Sequence, residues 1–231
     1  GQNFGDVCVS VTGLSLISPI SLITLKAPDL KLYYRDSVFK HDLKNKFIIT
    51  SVVVKLSKKP KYETNYHGSK TYESLQGELD KIAPGETNYT PKQIATAIIN
   101  LRTLKLPDWR KIGTAGSFFK NPFVSKTKFD ELAKLVKDLQ AYPINAMLYP
   151  NPDDPVFKMT DMVKIPAGKL LEELGWRGKR IGNVGTHEKH ALVIVNLGGA
   201  TGQEILEFSR LMQEDVRKNY GINLDFEVVI V

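Results

Sequence analysis

A single cysteine, Cys8, in 231 residues excludes an internal disulfide and with it a small stapled secreted scaffold. Long apolar runs are missing too. Stretches such as Ala191 to Val195 are the length of a strand, far short of the about 20 residues that cross a bilayer. There is no Gly-Lys-Ser/Thr phosphate loop and no Gly-x-Ser-x-Gly nucleophile turn, and no repeat or low-complexity tract. The first residue is Gly rather than Met, and no secretory signal follows it, so a fragment or processed piece of a cytoplasmic protein is expected. What is present is ordinary globular composition, with 42% hydrophobic and 25% charged residues, enough for one or two domains with real cores. The net charge of +7 favours anionic partners. Its cations are spread over residues 31–61, 102–126 and 164–189 rather than packed into a nucleic-acid-binding tail, and no stacking platform or recognition helix for nucleic acid is visible.

Residues 8–25 read as strands, and Phe47 to Leu56, rich in β-branched residues, reads as a half-buried to buried strand. From Ser57 to Thr90 the composition turns polar, with a short helical stretch near Tyr72–Ile82. This is a long surface excursion of the kind that forms lids. Thr90-Pro91 opens a helix carrying Ile94, Ile98 and Arg102, with a capping hydroxyl and proline at its first position. Further helices are expected over Lys126–Leu139, over Ala167–Leu174 and, from the capping box Thr201-Gly-Gln-Glu204 up to Gly221, with Ile205, Phe208, Leu211, Met212 and Val216 as an apolar stripe. Strands are expected at Ala191–Val195 and Leu224–Val231. The alternation predicts an α+β or α/β arrangement.

Four places offer chemistry. Gly113-Thr-Ala-Gly-Ser-Phe-Phe-Lys-Asn-Pro122 reads either as a loop presenting a reactive Ser with anion-holding N–H groups or as an ordinary Gly-rich turn. Arg35-Asp36 is either a guanidinium fork for a carboxylate or phosphate or a surface ion pair. His187-Glu-Lys-His190 has the wrong order and context for zinc, without a third ligand, so a polar loop with an imidazole meeting a phosphate is preferred and no metal is expected. Glu227 lies in an otherwise apolar stretch, either solvated at an edge or buried with a purpose.

In register along the chain, Tyr34-Arg-Asp-Ser-Val-Phe-Lys40, Leu101-Arg-Thr-Leu-Lys-Leu-Pro-Asp108, Ala115-Gly-Ser-Phe-Phe-Lys-Asn-Pro122, Lys164-Ile-Pro-Ala-Gly168, Gly175-Trp-Arg-Gly-Lys-Arg-Ile-Gly182, His187 to Asn196 and Leu224-Asp-Phe-Glu-Val228 strongly resemble the UDP-N-acetylenolpyruvoylglucosamine reductase (UDP-N-acetylmuramate dehydrogenase) family. Gln2-Asn-Phe-Gly5 resembles the end of that family's flavin-site loop. The resemblance implies an α+β chain, with the remainder of a second FAD-binding domain over residues 1–106 and an α/β substrate-binding domain over 107–231. It implies an enzyme that uses FAD and NADPH to reduce the enolpyruvyl group of a UDP-sugar to UDP-N-acetylmuramate for peptidoglycan. Such an enzyme is expected to be a cytoplasmic monomer without nucleic-acid or membrane partners, and to need an N-terminal flavin domain that is not in this sequence.

By the same resemblance Arg35 pairs with the substrate carboxylate and developing enolate, Glu227 is its acidic companion, and Ser117 donates a proton to the α carbon. Lys105, Asn121 and His190 hold the substrate and its diphosphate, while Tyr72, with Tyr66 as second choice, caps it from a closing loop. Gln2, Gly5 and Arg102 contact the flavin. The sequence departs from the family pattern at Tyr33 (usually Gly), Thr114 (usually Asn), Lys169 (usually Trp) and Val229 (often Arg), and residues 6–30 match poorly. These departures spare Arg35, Ser117 and Glu227. The alternative is a UDP-sugar-binding module without flavin, a truncated or decayed relative.

Overall fold

The structure is a computed structural model and describes residues 4–62, 64, 74–144 and 161–231. Gln2, Tyr66 and Tyr72 lie outside the described residues. The chain divides into two compact units, residues 1–61 with 144–161 and residues 62–143 with 162–231.

In the first unit, the expected strands form an antiparallel sheet of β1 (Cys8–Ser15), β2 (Ser21–Lys26) and β3 (Phe47–Val54), in the order β2-β1-β3. Cys8, Val11 and Leu30 are its buried core, with Leu25, Leu32, Phe39 and Phe47 against it. Gly13 is where β1 lets the Phe47 ring approach. A Cβ there would lie 2.3 Å from Phe47 Cε1 and 2.4 Å from the Ile48 carbonyl oxygen, and the β1–β3 register slips between Thr12 and Gly13. The strand at 47–54 forms as its β-branched run dictates, but it is not buried. Ile48, Ile49, Val52, Val53 and Val54 are all exposed, because β3 is an edge strand and the described residues put no second layer over this run.

The second unit begins with a helical hairpin, α1 (Leu75–Ile82) and α2 (Pro91–Lys105). Ser74 and Thr90 cap them by accepting from Gly77 N–H and Gln93 N–H, and Leu79, Ile94 and Ala97 form their shared core. Buried Glu78 is held by Lys81 and Asn100 (2.8 Å each), which keeps its carboxyl below the usual range. Next come β4 (Gly113–Ser117), β5 (Phe123–Ser125), α3 (Lys126–Ala133), β6 (Tyr142–Pro143), β7 (Met162–Lys164), α4 (Ala167–Glu173), β8 (Arg180–Ile181), β9 (Val184–His187), β10 (His190–Asn196) and α5 (Gly202–Tyr220). Antiparallel sheets of order β4-β10-β9-β8 and β5-β7-β6 result. They enclose a core that includes Phe119, Leu132, Ile165, Leu171, Trp176, Ile194, Phe208 and Met212. The Thr201–Glu204 capping box forms as expected, and Gly221 ends α5 at φ 66°.

Three expectations are corrected here. The helix from Lys126 stops at Ala133, and the following turns bury Val136 and leave Leu135 exposed. Leu211, expected on the apolar stripe of α5, is also exposed, while Phe208, Met212 and Val216 of that stripe are buried. The last stretch, expected as a strand from Leu224 to Val231, makes one β-bridge among the described residues, Phe226 to Phe119. Backbone bonds pin it on either side, from Lys120 N–H to Asp225 (2.8 Å) and from Glu227 N–H to Phe118 (2.9 Å). Past Glu227 the β-branched residues have no partner strand among the described residues, and Val229 is exposed.

Candidate active site

Neither reading of Gly113–Pro122, as a loop or as a simple turn, holds in its first half, which is a strand with a bulge. Ser117 pairs with Val193 and Thr114 with Val195, so β4 carries one residue more than β10 between the two pairs. Gly116, at φ 80° with no atom within 4 Å of an added Cβ, supplies the left-handed residue that such a bulge needs. Thr114 Oγ1 accepts from the Gly116 N–H (3.1 Å) and donates to the Ile194 carbonyl (2.9 Å). The bulge turns the chain at Ser117, which is half-buried, and bulges that re-aim a side chain are common beside active sites.

Glu227 comes to the same place from 110 residues further along. Gln213 on α5 donates to the Leu224 carbonyl (2.6 Å), the Phe226 ring stacks on Phe119 with centroids 5.6 Å apart, and the Glu227 N–H bonds the carbonyl of Phe118, the residue next to Ser117. Glu227 is half-buried, between the two readings that the sequence left open. This is the one juxtaposition of expected catalytic residues that lies within a single unit.

Lys105, Asn121 and His190 also meet. All three line a cavity of about 770 Å3, within the size range of small-molecule sites. Lys169, Arg177 and Lys189 add cations to the same wall, against Glu172 and Glu188. Their arrangement is specific. Asn121 Oδ1 accepts the Ala167 N–H at 3.0 Å, which fixes the amide so that its other end, Nδ2, is a donor. The Leu192 N–H donates to His190 Nδ1 (3.3 Å), so the neutral imidazole carries its proton on Nε2 and is a donor as well. Burial, with nearby His187 and Lys105 and against Glu172, holds His190 below its usual value of 6.5. Lys189 Nζ donates to the Leu104 carbonyl (2.9 Å) and so ties the β9–β10 turn to the end of α2 that carries Lys105. Arg177 pairs with Glu172, and Lys169 lies 3.6 Å from Glu173. A wall of oriented donors and cations suits a multiply charged oxyanion such as a diphosphate.

His187 and His190 face each other as a pair across the β9–β10 turn, and no group of three metal-ligating side chains is gathered among the described residues. No helix of the described residues is long and apolar enough to cross a membrane.

Arg35 lies in the first unit, at the third position of a turn closed by Tyr33 and Asp36. Its φ is 56°, a left-handed conformation that costs a non-glycine residue about 1–2 kcal/mol; such strain clusters at functional positions. Asp36 binds the Ser37 N–H and His41 (2.9 Å each), which is not the Arg35–Asp36 ion pair of the plainer sequence reading. Arg35 is exposed as a residue, with its guanidinium carbon 5.8 Å from the centroid of the Tyr34 ring.

Gly5 sits in a 3-10 turn where a Cβ would make only ordinary contact with Leu32. Arg102 borders a second cavity of about 380 Å3 with Trp109 and Arg110. The Arg102 guanidinium suits a phosphate. Lys169, Arg177, Lys189 and Thr114 were not singled out as functional by sequence reasoning. The departures at Lys169 and Thr114 from the family pattern were the available signals.

The architecture is that of an α+β protein with a donor-lined cavity and a bulged strand. Residues 107–231 match the family model described as UDP-N-acetylenolpyruvoylglucosamine reductase, C-terminal domain. The chain is 38% identical over 231 residues to the UDP-N-acetylenolpyruvoylglucosamine reductase of Flavobacterium johnsoniae, covering 100% of this chain and 62% of that protein. To the enzyme of the same name from Paraburkholderia phymatum it is 36% identical over 234 residues, covering 99% and 62%. The crystal structure of UDP-N-acetylenolpyruvylglucosamine reductase from Thermus caldophilus shares the fold, with a TM-score of 0.53 at 20% identity, covering 99% of this chain and 56% of that one. The chain belongs to the UDP-N-acetylenolpyruvoylglucosamine reductase family, and it spans less than two thirds of the length of these relatives.

Proposed function

We propose that this chain is the substrate-binding portion of a UDP-N-acetylenolpyruvoylglucosamine reductase that forms UDP-N-acetylmuramate in the cytoplasm for peptidoglycan. In that reading residues 107–231 are the substrate domain and residues 1–106 belong to a flavin-binding domain completed by residues outside this span. The observation that carries it is the gathering of Lys105, Asn121 and His190 around one cavity, in the unit where the Glu227 N–H also bonds the carbonyl of Phe118, the residue after Ser117.

Flavin, reduced by NADPH, supplies the hydride when bound. Arg102 is suited to one of its phosphates, while Gln2 and Gly5 rest on the resemblance alone. Lys105, the Asn121 amide and the His190 Nε2–H hold the diphosphate of the UDP-sugar by charge and by donated hydrogen bonds. Tyr72 caps the substrate. Arg35 pairs with the enolpyruvyl carboxylate and stabilises negative charge that develops there, an electrostatic role that strengthens when water is excluded. Glu227 orients the same end of the substrate, and the Ser117 hydroxyl gives its proton to the α carbon. Ser117→Ala in the reductase with its complete flavin domain is expected to slow substrate reduction far more than reduction of the flavin by NADPH. Equal slowing of both would remove Ser117 from the proton transfer.

A second reading, a UDP-sugar-binding module that works without flavin, is favoured by the cavity lying wholly within residues 62–143 and 162–231. It predicts tight UDP-sugar binding by a full-length protein that takes up no flavin.

A further inference from the structure

The β4 bulge leaves two backbone groups out of the regular ladder, and one side chain answers both. Between the pairs Ser117–Val193 and Thr114–Val195, the Gly116 N–H and the Ile194 carbonyl face a break in register. Buried backbone groups need partners, and both find the same hydroxyl, Thr114 Oγ1, at 3.1 and 2.9 Å. The adjacent Gly116 contributes no steric restraint, since an added Cβ would meet nothing within 4 Å. Threonine adds a second property, because its β-branched side chain has few χ1 rotamers. The bulge is therefore held by a rigid, two-way polar clamp rather than by packing around Gly116.

We infer that Thr114 is a positioning residue that acts through Ser117: its hydroxyl fixes the bulge and thereby the placement of the serine hydroxyl. This rests on the reading of Ser117 as the proton donor. Asparagine also has an acceptor oxygen and a donor nitrogen that can meet the same two groups, so Asn is an alternative clamp to Thr.

Valine is close to threonine in shape but has neither donor nor acceptor. In the full-length reductase, Thr114→Val is expected to lower kcat by about 10- to 100-fold, the scale of a misplacement near 1 Å, with KM nearly unchanged. Thr114→Ser and Thr114→Asn are expected to restore most of it. The amide of Gly116 should exchange faster with solvent in Thr114→Val than in the wild type or in Thr114→Ser. The deciding measurement is the double variant. If Thr114 acts through Ser117, adding Thr114→Val to Ser117→Ala costs no further activity. A full additional loss, or a Thr114→Val protein with wild-type kcat and wild-type Gly116 exchange, overturns the inference. If Ser117→Ala alone leaves turnover intact, the proton-donor reading falls instead. The clamp is then decided by exchange at Gly116, and unchanged exchange in Thr114→Val refutes it.

Discussion

Substituting His190 separates a hydrogen-bonding role from a charged one. Burial, with His187 and Lys105 nearby, holds the proton affinity of the imidazole below its ordinary range, which favours the neutral ring near pH 7, and the Leu192 N–H at Nδ1 leaves its proton on Nε2. A donor to an ionised diphosphate contributes on the order of 1.5–3 kcal/mol, about 13- to 160-fold in affinity. His190→Ala is therefore expected to weaken UDP-sugar binding by about that factor at about pH 8, while His190→Gln, which also presents a neutral donor, stays within about 2-fold of wild type. As pH falls through the lowered His190 value the ring gains a proton, so wild-type affinity for the anion should rise, and the rise should be missing in His190→Gln. The linked stability has the opposite sign: the neutral buried ring favours the fold above its ordinary value of 6.5, and that contribution is lost as pH falls through the folded-state value. Isothermal titration calorimetry across this range reads the binding effects. Equal weakening by His190→Gln and His190→Ala at high pH, or an acid-side gain that survives in His190→Gln, would refute the tautomer and charge assigned here.

Two glycines should respond differently to alanine. Gly13→Ala forces a Cβ against the Phe47 ring and the Ile48 carbonyl and should cost about 1–3 kcal/mol or more, whereas Gly116→Ala meets no atom and carries only the left-handed strain of about 1–2 kcal/mol. Thermal unfolding with the first variant at or above the stability of the second would contradict the β1–β3 register. Glu78→Gln should flatten the acid limb of stability. The Lys81 and Asn100 hydrogen bonds lower its proton affinity in the fold, so its contribution is present above the ordinary value of 4.5 and is lost as pH falls through the lowered one. An unchanged acid midpoint in a pH titration followed by circular dichroism would count against that network.

The sequence was most readable where a local signal coincides with its tertiary role. Thr90-Pro91 and Thr201–Glu204 specify helix starts by hydrogen bonds that close within four residues, and both formed. The family motifs placed Lys105, Asn121 and His190 on one list, and the fold places them on one cavity. Burial was less readable, because β-branched residues at 47–54 encode a strand but not whether a layer covers it. The end of the chain misled for a related reason: Val228 to Val231 have strand composition, but pairing needs a neighbour that composition cannot supply. The β4 bulge was legible only as two glycines. Its clamp depends on Ile194, 80 residues away from Thr114, and no local pattern carries that distance.

The central claim is that the cavity lined by Lys105, Asn121 and His190 receives the diphosphate of a UDP-sugar. Titration of UDP-N-acetylglucosamine enolpyruvate into the wild-type protein and its Lys105→Ala variant tests it most directly. Loss of a charge-assisted hydrogen bond worth about 1.5–3 kcal/mol predicts binding weakened by about 13- to 160-fold in the variant. Wild-type protein that does not bind the nucleotide sugar, or a Lys105→Ala variant that binds it as the wild type does, would contradict the account.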